Sequence, residues 1–232
     1  VQPNRNGFVY VLSAKEGKFL TAFQYTDRVN WAKGIDQDGR PLVDPDYVPT
    51  EDSEKFICPG QVGGHNGSFT YAFHPKTKLM YVPSIESCSK MVKEDTVFER
   101  GAPFWGGGPV ENESDSGSSY GLFQAIDPET GSIKWKYKDR FPMVAGALAT
   151  AGDVVFTANQ EGYVLAFDTN NGDLLWKFQV GSSVRGQPIT WEQGGRQYLA
   201  VPSGGGGLAV EMIGEPPLVT RGGSIVVFSV TN

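Results

Sequence analysis

Two stretches of this chain repeat one another 41 residues apart, and that interval limits the fold more than any other feature. The first runs Ala125-Ile126-Asp127-Pro128-Glu129-Thr130-Gly131-Ser132-Ile133-Lys134-Trp135. The second runs Ala166-Phe167-Asp168-Thr169-Asn170-Asn171-Gly172-Asp173-Leu174-Leu175-Trp176. Ala, Asp, Gly and Trp fall at matching offsets. The spacing suits one blade of four short strands, so the expected fold is all-β, a β-propeller of four-stranded antiparallel blades. Each repeated position has a physical reason. Asp127 and Asp168 open tight turns, where a carboxylate accepts backbone N–H bonds two residues on. Gly131 and Gly172 supply the positive φ that closes such turns. Trp135 and Trp176 start the next strand with a flat ring that fills the gap between neighbouring sheets and offers its N–H to a backbone carbonyl.

Apolar strands precede these turns at Tyr120-Gly121-Leu122-Phe123 and Tyr163-Val164-Leu165, and Val154 to Ala158 supplies another. Degraded copies follow the same outline. Val11 to Gly17 keeps the turn glycine without the Asp or Trp, and Ala72 to Lys78 keeps Ala, Pro and Thr. Gln197 to Val201 and Ser224 to Phe228 read as later strands. About four to five blades fit, roughly half of an eight-bladed ring. Residues 27–57, rich in Asp and Pro, and residues 92–119, rich in Gly, Ser and acids, read as long loops. An incomplete ring exposes unpaired strand edges, so the chain is expected to need a partner that completes it. It opens at Val1 and enters the strand Phe8 to Leu12 almost at once, which reads as a start inside a longer protein.

Composition sets further limits. Thirty Gly and 15 Pro favour turns, and 39% hydrophobic residues suffice for a substantial core. A net charge of −6 gives no basic stripe for nucleic acid, and no apolar run is long enough to span a membrane. Cys58 and Cys88 lie 30 residues apart outside any CxxC pair. With only His65 and His74 in the chain they do not suggest zinc. They fit either two buried thiols in a cytosolic protein or one disulfide in an exported one.

Several local strings resemble the C-terminal region of the pyrroloquinoline-quinone (PQQ) dependent alcohol and methanol dehydrogenases, over nearly the whole chain. They are Asn6 to Leu12, Cys58-Pro59 followed by Gly63-Gly64-His65-Asn66, Ala149 to Phe156, and Gly172 to Phe178. The resemblance implies an eight-bladed propeller, a periplasmic location in a bacterium, and a Cys58–Cys88 disulfide. It also implies PQQ held with a calcium or lanthanide ion, a small alcohol as substrate and a cytochrome c as acceptor. Asn66 matches an asparagine that contacts the quinone, and its amide offers both a donor and an acceptor. The family's basic residue after the first strand is replaced by Ser13-Ala14, leaving Lys15 as the nearest cation. Tryptophans near the cofactor in methanol dehydrogenases correspond roughly to Val144 and to the neighbourhood of Leu208, which argues against methanol as substrate and for a divergent alcohol dehydrogenase or a degenerate homologue.

The family's catalytic aspartate and metal ligands belong upstream, so no catalytic or metal-ligating residue is assigned within the chain. Asp36, Asp38, Asp44 and Asp46 lack the later glutamate of a calcium loop and read as turn residues. Gly204 to Gly207 opens no helix and is no phosphate loop. The chain alone is thus expected to be an inactive part of an oxidoreductase that supplies one wall of the cofactor chamber. The alternative is a non-catalytic propeller scaffold for protein–protein interaction.

Overall fold

The tryptophan-bearing turns fold as the repeat requires. In a computed structural model, which describes residues 1–65, 67, 69–102, 104, 106–113, 118–205 and 222–229, Asp127 Oδ1 accepts the Glu129 and Thr130 N–H groups at 2.9 and 3.3 Å. The Gly131 N–H reaches back to the Asp127 carbonyl at 2.8 Å, with Gly131 at φ 73°. Asp168 repeats this on Asn170 and Asn171, and Gly172 (φ 76°) closes on the Asp168 carbonyl at 3.0 Å. The same closure recurs where the sequence copy is degraded, from Gly17 to Ser13 at 2.8 Å. A bulge follows the same logic in all three hairpins, between Val11 and Leu12, Ala125 and Ile126, and Ala166 and Phe167. It lets the outer strand swing its side chains onto the neighbouring sheet.

The chain divides into two compact units, residues 1–64 with 86–119 and residues 65–85 with 120–232. The second holds two four-stranded antiparallel sheets. One has the order Ile133–Asp139, Tyr120–Ile126, Leu79–Glu86, Ala72–His74; the other runs Leu148–Ala149, Val154–Ala158, Tyr163–Asp168, Leu174–Gln179. A third sheet pairs Ile189–Gln193, Arg196–Gly205 and Gly222–Ser229. Central strands are apolar along their length because both faces are covered: every residue of Leu79–Glu86 is buried. The outer strand Ile133–Asp139 alternates, with Trp135 and Asp139 pointing inward, whereas Leu174–Gln179 is exposed throughout.

Trp135 joins the two four-stranded sheets. Its ring stacks on Phe167 of the next sheet at 6.0 Å and lies 5.7 Å from Phe123 and Tyr81 of its own. Its Nε1 donates to the Thr169 carbonyl at 3.1 Å. Burying an indole in this way contributes on the order of 4–6 kcal/mol by area. Trp176 does not repeat this burial. It is 38% exposed and touches Phe228 edge-on at 5.1 Å. The residues after Ser229 lie outside the described ones. The stretch Ala72 to Lys78 also differs from its reading as a blade copy. It joins the first and second strands of its sheet rather than the third and fourth, with Lys78 at φ 58° in the glycine's place.

The first unit holds a sheet of Gln2–Pro3, Phe8–Leu12 and Phe19–Gln24, and another of Gly107–Asn112, Ser89–Lys93 and Lys55–Ile57. Both stretches read as long loops therefore carry strands. Residues 27–57 add the hairpin Ala32–Ile35 with Pro41–Val43 and a 3₁₀ turn at Pro45–Tyr47, capped by Asp44. Short edge strands interrupted by Pro and Asp show no clean alternation, which hides them from a pattern reading. Among the described residues no helix is long and apolar enough to cross a membrane.

Candidate functional site

Cys58 and Cys88 are joined, with Cα atoms 4.5 Å apart, as the resemblance implied. The bridge sits in the first unit within a hydrogen-bonded clamp. Asn30 Oδ1 accepts the Cys58 N–H at 2.8 Å, and the Asn30 N–H donates to the Cys58 carbonyl at 3.1 Å. On the other side Glu113 Oε2 accepts the Cys88 N–H at 2.9 Å, and the Glu113 N–H donates to the Cys88 carbonyl at 3.0 Å. Arg28 grips the same carboxylate with both guanidinium ends, at 2.9 and 2.7 Å. Burial works to raise the Glu113 pKa, but the Arg28 fork and the Cys88 N–H outweigh it, so the carboxyl ionises below its ordinary range.

The clamp fixes the start of the Gly60–Gly64 segment. The Gly60 N–H donates to the Ser87 carbonyl at 2.8 Å, and Ser89 Oγ accepts the Gln61 N–H at 3.0 Å. The glycines are close-approach residues. A Cβ on Gly63 would stand 2.6 Å from Pro59 and 2.7 Å from the Ser87 carbonyl. One on Gly64 (φ 71°) would meet the Arg5 carbonyl at 2.5 Å. Chain approach this tight explains why the string Cys58-Pro59…Gly63-Gly64 stands as it does.

Arg5 is the functional candidate that sequence reasoning missed. It lines a cleft of about 420 Å³ with Trp31, Tyr47, Pro59 and Gln61. Its backbone lies against Gly64, and Trp31 Nε1 donates to the adjacent Asn6 carbonyl at 3.1 Å. Partial desolvation lowers the Arg5 pKa although its side chain still reaches solvent, and the guanidinium stays charged in either case. No ion pair engages it among the described residues. An unpaired fork of five donors beside a glycine-rich approach suits a planar ligand bearing carboxylates or carbonyls. The signal was in Asn4-Arg5-Asn6-Gly7, before the strand, whereas the family's cation was sought after it.

Lys15, the cation chosen by sequence, is exposed in the turn between Phe8–Leu12 and Phe19–Gln24. Asn66 lies outside the described residues, as does Leu208. In the second unit His65 is buried, with Nδ1 donating to the Pro83 carbonyl at 2.8 Å. Its ring meets Phe69 and Tyr71 edge-on at 5.6 and 5.8 Å. Desolvation lowers its pKa against the raising effect of the Pro83 and Phe69 backbone. Val144 is buried. Asp36 makes a local turn, its Oδ1 accepting the Asp38 and Arg40 N–H groups. Among the described residues no group of three His, Cys, Asp or Glu side chains could hold a metal ion. The arrangement is suited to binding and orienting a ligand.

Comparison with known proteins agrees with this geometry. Residues 36–199 match the PQQ family model described as "Glucose/ethanol/alcohol dehydrogenase, beta-propeller domain". The quinoprotein alcohol dehydrogenase PedH of Pseudomonas putida is 38% identical over 214 residues, 88% of this chain and 35% of that protein. The methanol dehydrogenase [cytochrome c] subunit 1 of Methylobacterium organophilum is 35% identical over 213 residues, 88% of this chain and 34% of its own length. A solved europium-containing methanol dehydrogenase superposes with a TM-score of 0.86 at 31% identity, covering 97% of this chain and 44% of that one. The all-β sheets are thus blades of a β-propeller, and the chain spans about a third of the length of the curated relatives it matches.

Proposed function

This chain belongs to the PQQ dehydrogenase β-propeller family, and from that premise we propose that it is the part of a bacterial alcohol dehydrogenase that walls the quinone chamber. The observation that carries the reading is the family match over residues 36–199, supported by a disulfide-clamped glycine segment that sets Arg5 over a cleft. A scaffold that binds only other proteins has no use for an unpaired arginine held in this manner.

When bound, the quinone supplies a two-electron acceptor at its adjacent carbonyls. The residues of this chain hold and orient it. Arg5 offers its guanidinium fork to a carboxylate or ring carbonyl. Asn66, which matches the family's quinone-contacting asparagine, offers an amide donor and acceptor. Lys15 keeps the weaker claim, since reaching a cleft from its exposed turn requires that turn to be rebuilt. We assign the calcium or lanthanide ligands and the base that takes the alcohol proton to the remainder of the protein, since the chain spans about a third of its relatives' length. The remainder of the propeller is accordingly the partner this chain needs. A periplasmic location, a small alcohol substrate and a cytochrome c acceptor complete the reading.

The test uses the complete protein. Adding PQQ with calcium or a lanthanide should give the bound quinone's absorbance and dye-linked oxidation of a primary alcohol. The 232-residue chain alone should give no turnover. Neither absorbance nor oxidation from the complete protein would overturn the proposal.

A further inference from the structure

Cys88 and Glu113 stand one step beyond the ladder between Ser89–Lys93 and Gly107–Asn112, whose last pair sets Asn112 opposite Ser89. Continued regularly, the two residues would exchange two backbone bonds. Only one is made that way, from the Glu113 N–H to the Cys88 carbonyl at 3.0 Å. The Glu113 carbonyl instead accepts the Ser118 N–H at 3.1 Å, and the Cys88 N–H goes to the Glu113 carboxylate, Oε2, at 2.9 Å. A charged group thus stands where a carbonyl would serve. Arg28, 85 residues away in sequence, closes its fork on that carboxylate at 2.9 and 2.7 Å. The Glu113 side chain is only 16% exposed. A half-buried ion pair gives up hydration, and a ladder can end without one, so the pair needs a further reason.

The glycine segment lying on Cys88 supplies that reason. The Gly60 N–H ends on the Ser87 carbonyl at 2.8 Å, and a Cβ on Gly63 would stand 2.7 Å from the same oxygen. Ser89 Oγ accepts the Gln61 N–H at 3.0 Å and donates to Asn112 Oδ1 at 2.6 Å. Residues 87–89 are therefore the bed of Gly60–Gly64, and Asn112 and Glu113 hold that bed from its other side. Gly64 in turn lies against the Arg5 backbone. Arg28 comes from the stretch 27–57 and Glu113 from 92–119, so one ion pair closes both long stretches over the bridge. A charge-assisted grip on a backbone N–H is stiffer than a neutral one. We propose that Glu113, held by Arg28, is a positioning residue for the quinone: it fixes the bed of Gly60–Gly64 and, through that segment, the place of Arg5. The inference rests on the dehydrogenase reading above and adds the pair that sets the cleft's geometry.

The experiment compares the complete protein with its Arg28→Gln, Glu113→Gln and double variants. Without quinone, hydrogen exchange read by mass spectrometry should speed up about tenfold in peptides covering residues 58–64, and stay unchanged in those covering Tyr163–Asp168. Titration with PQQ and calcium, followed by absorbance, should show the Kd raised about tenfold in each single variant. The double variant should lose no more than about twofold beyond the singles, because either change breaks the same pair. In the dye-linked assay the PQQ concentration for half-maximal rate should follow the Kd, while turnover at saturating PQQ stays within about twofold. A parent that binds PQQ and single variants that bind it equally well overturn the inference and leave the dehydrogenase reading standing. Independent losses that multiply to about a hundredfold in the double variant overturn it too. So does exchange that quickens alike in every peptide, because the pair would then serve stability at large. A parent that binds no PQQ sinks the dehydrogenase reading and this inference with it.

Discussion

A methyl group on Gly172 would stand 2.6 Å from the Trp135 ring, at a φ of 76° that side chains resist. One residue therefore carries two constraints, a turn that must bend left-handed and a neighbour that must lie flat upon it. Gly172→Ala should cost about 2–4 kcal/mol, strain and overpacking together; urea unfolding of the complete protein checks it, and a change under ~0.5 kcal/mol would contradict the docking geometry. Arg5→Ala should weaken quinone binding by on the order of 10–100-fold, as loss of a charge-assisted contact does. Titration of the complete protein by absorbance reads this directly, and an unchanged affinity would remove Arg5 from the site. His65 sets a pH dependence. Its folded pKa lies below the ordinary ~6.5, so the unfolded chain takes the proton first, and the stability it contributes is present above that value and lost as pH falls. Unfolding midpoints measured from pH 7.5 down to 5 should decline, and His65→Gln should flatten part of that decline. At this scale the repeated Asp, Gly and Trp were legible because each obeys a local rule at a fixed offset. Arg5 was not, since nothing local marks an arginine whose importance comes from Gly64, 59 residues away in sequence. Trp176 was read as the equal of Trp135, and its exposure follows from what lies opposite it, which no local string encodes.

Elements repeat more faithfully than residues do. The closure of Gly17 on Ser13 and the bulge at Val11–Leu12 reproduce the hairpin geometry of the later blades without their Asp or Trp. Turn geometry survives loss of sequence signature because the backbone bonds define it and the side chains only favour it. The clamp around Cys58 and Cys88 works at the same scale, tying the end of Lys55–Ile57 to the start of Ser89–Lys93. Replacing both cysteines with serine should cost about 3–4 kcal/mol for a loop of this length. It should also lower quinone affinity, because the Gly60–Gly64 segment loses its anchor. A double variant that binds quinone as tightly as the parent would mean the bridge serves stability alone. The short strands inside residues 27–57 and 92–119 escaped the sequence reading for a physical reason. Lys55–Ile57 is an edge element whose pairing partner, Ser89–Lys93, is remote in the chain, and the others are short strands broken by Gly and Pro.

At the scale of the whole molecule, the chain spans about a third of its curated relatives' length and supplies consecutive blades, a clamped glycine segment and an arginine over a cleft. The third sheet of the second unit ends on Gly222–Ser229, whose Ile225 and Val227 are exposed, so a further strand has an apolar face to join. The fold class was legible from one period and one pair of turns, and the family from a few short strings. The most direct measurement is equilibrium binding of PQQ, with calcium or a lanthanide present, to the complete protein and to its Arg5→Ala and Asn66→Ala variants, followed by dye-linked alcohol oxidation. The account predicts saturable binding and turnover in the parent, with weaker binding in each variant. Equal binding in all three, or none in the parent, would contradict it.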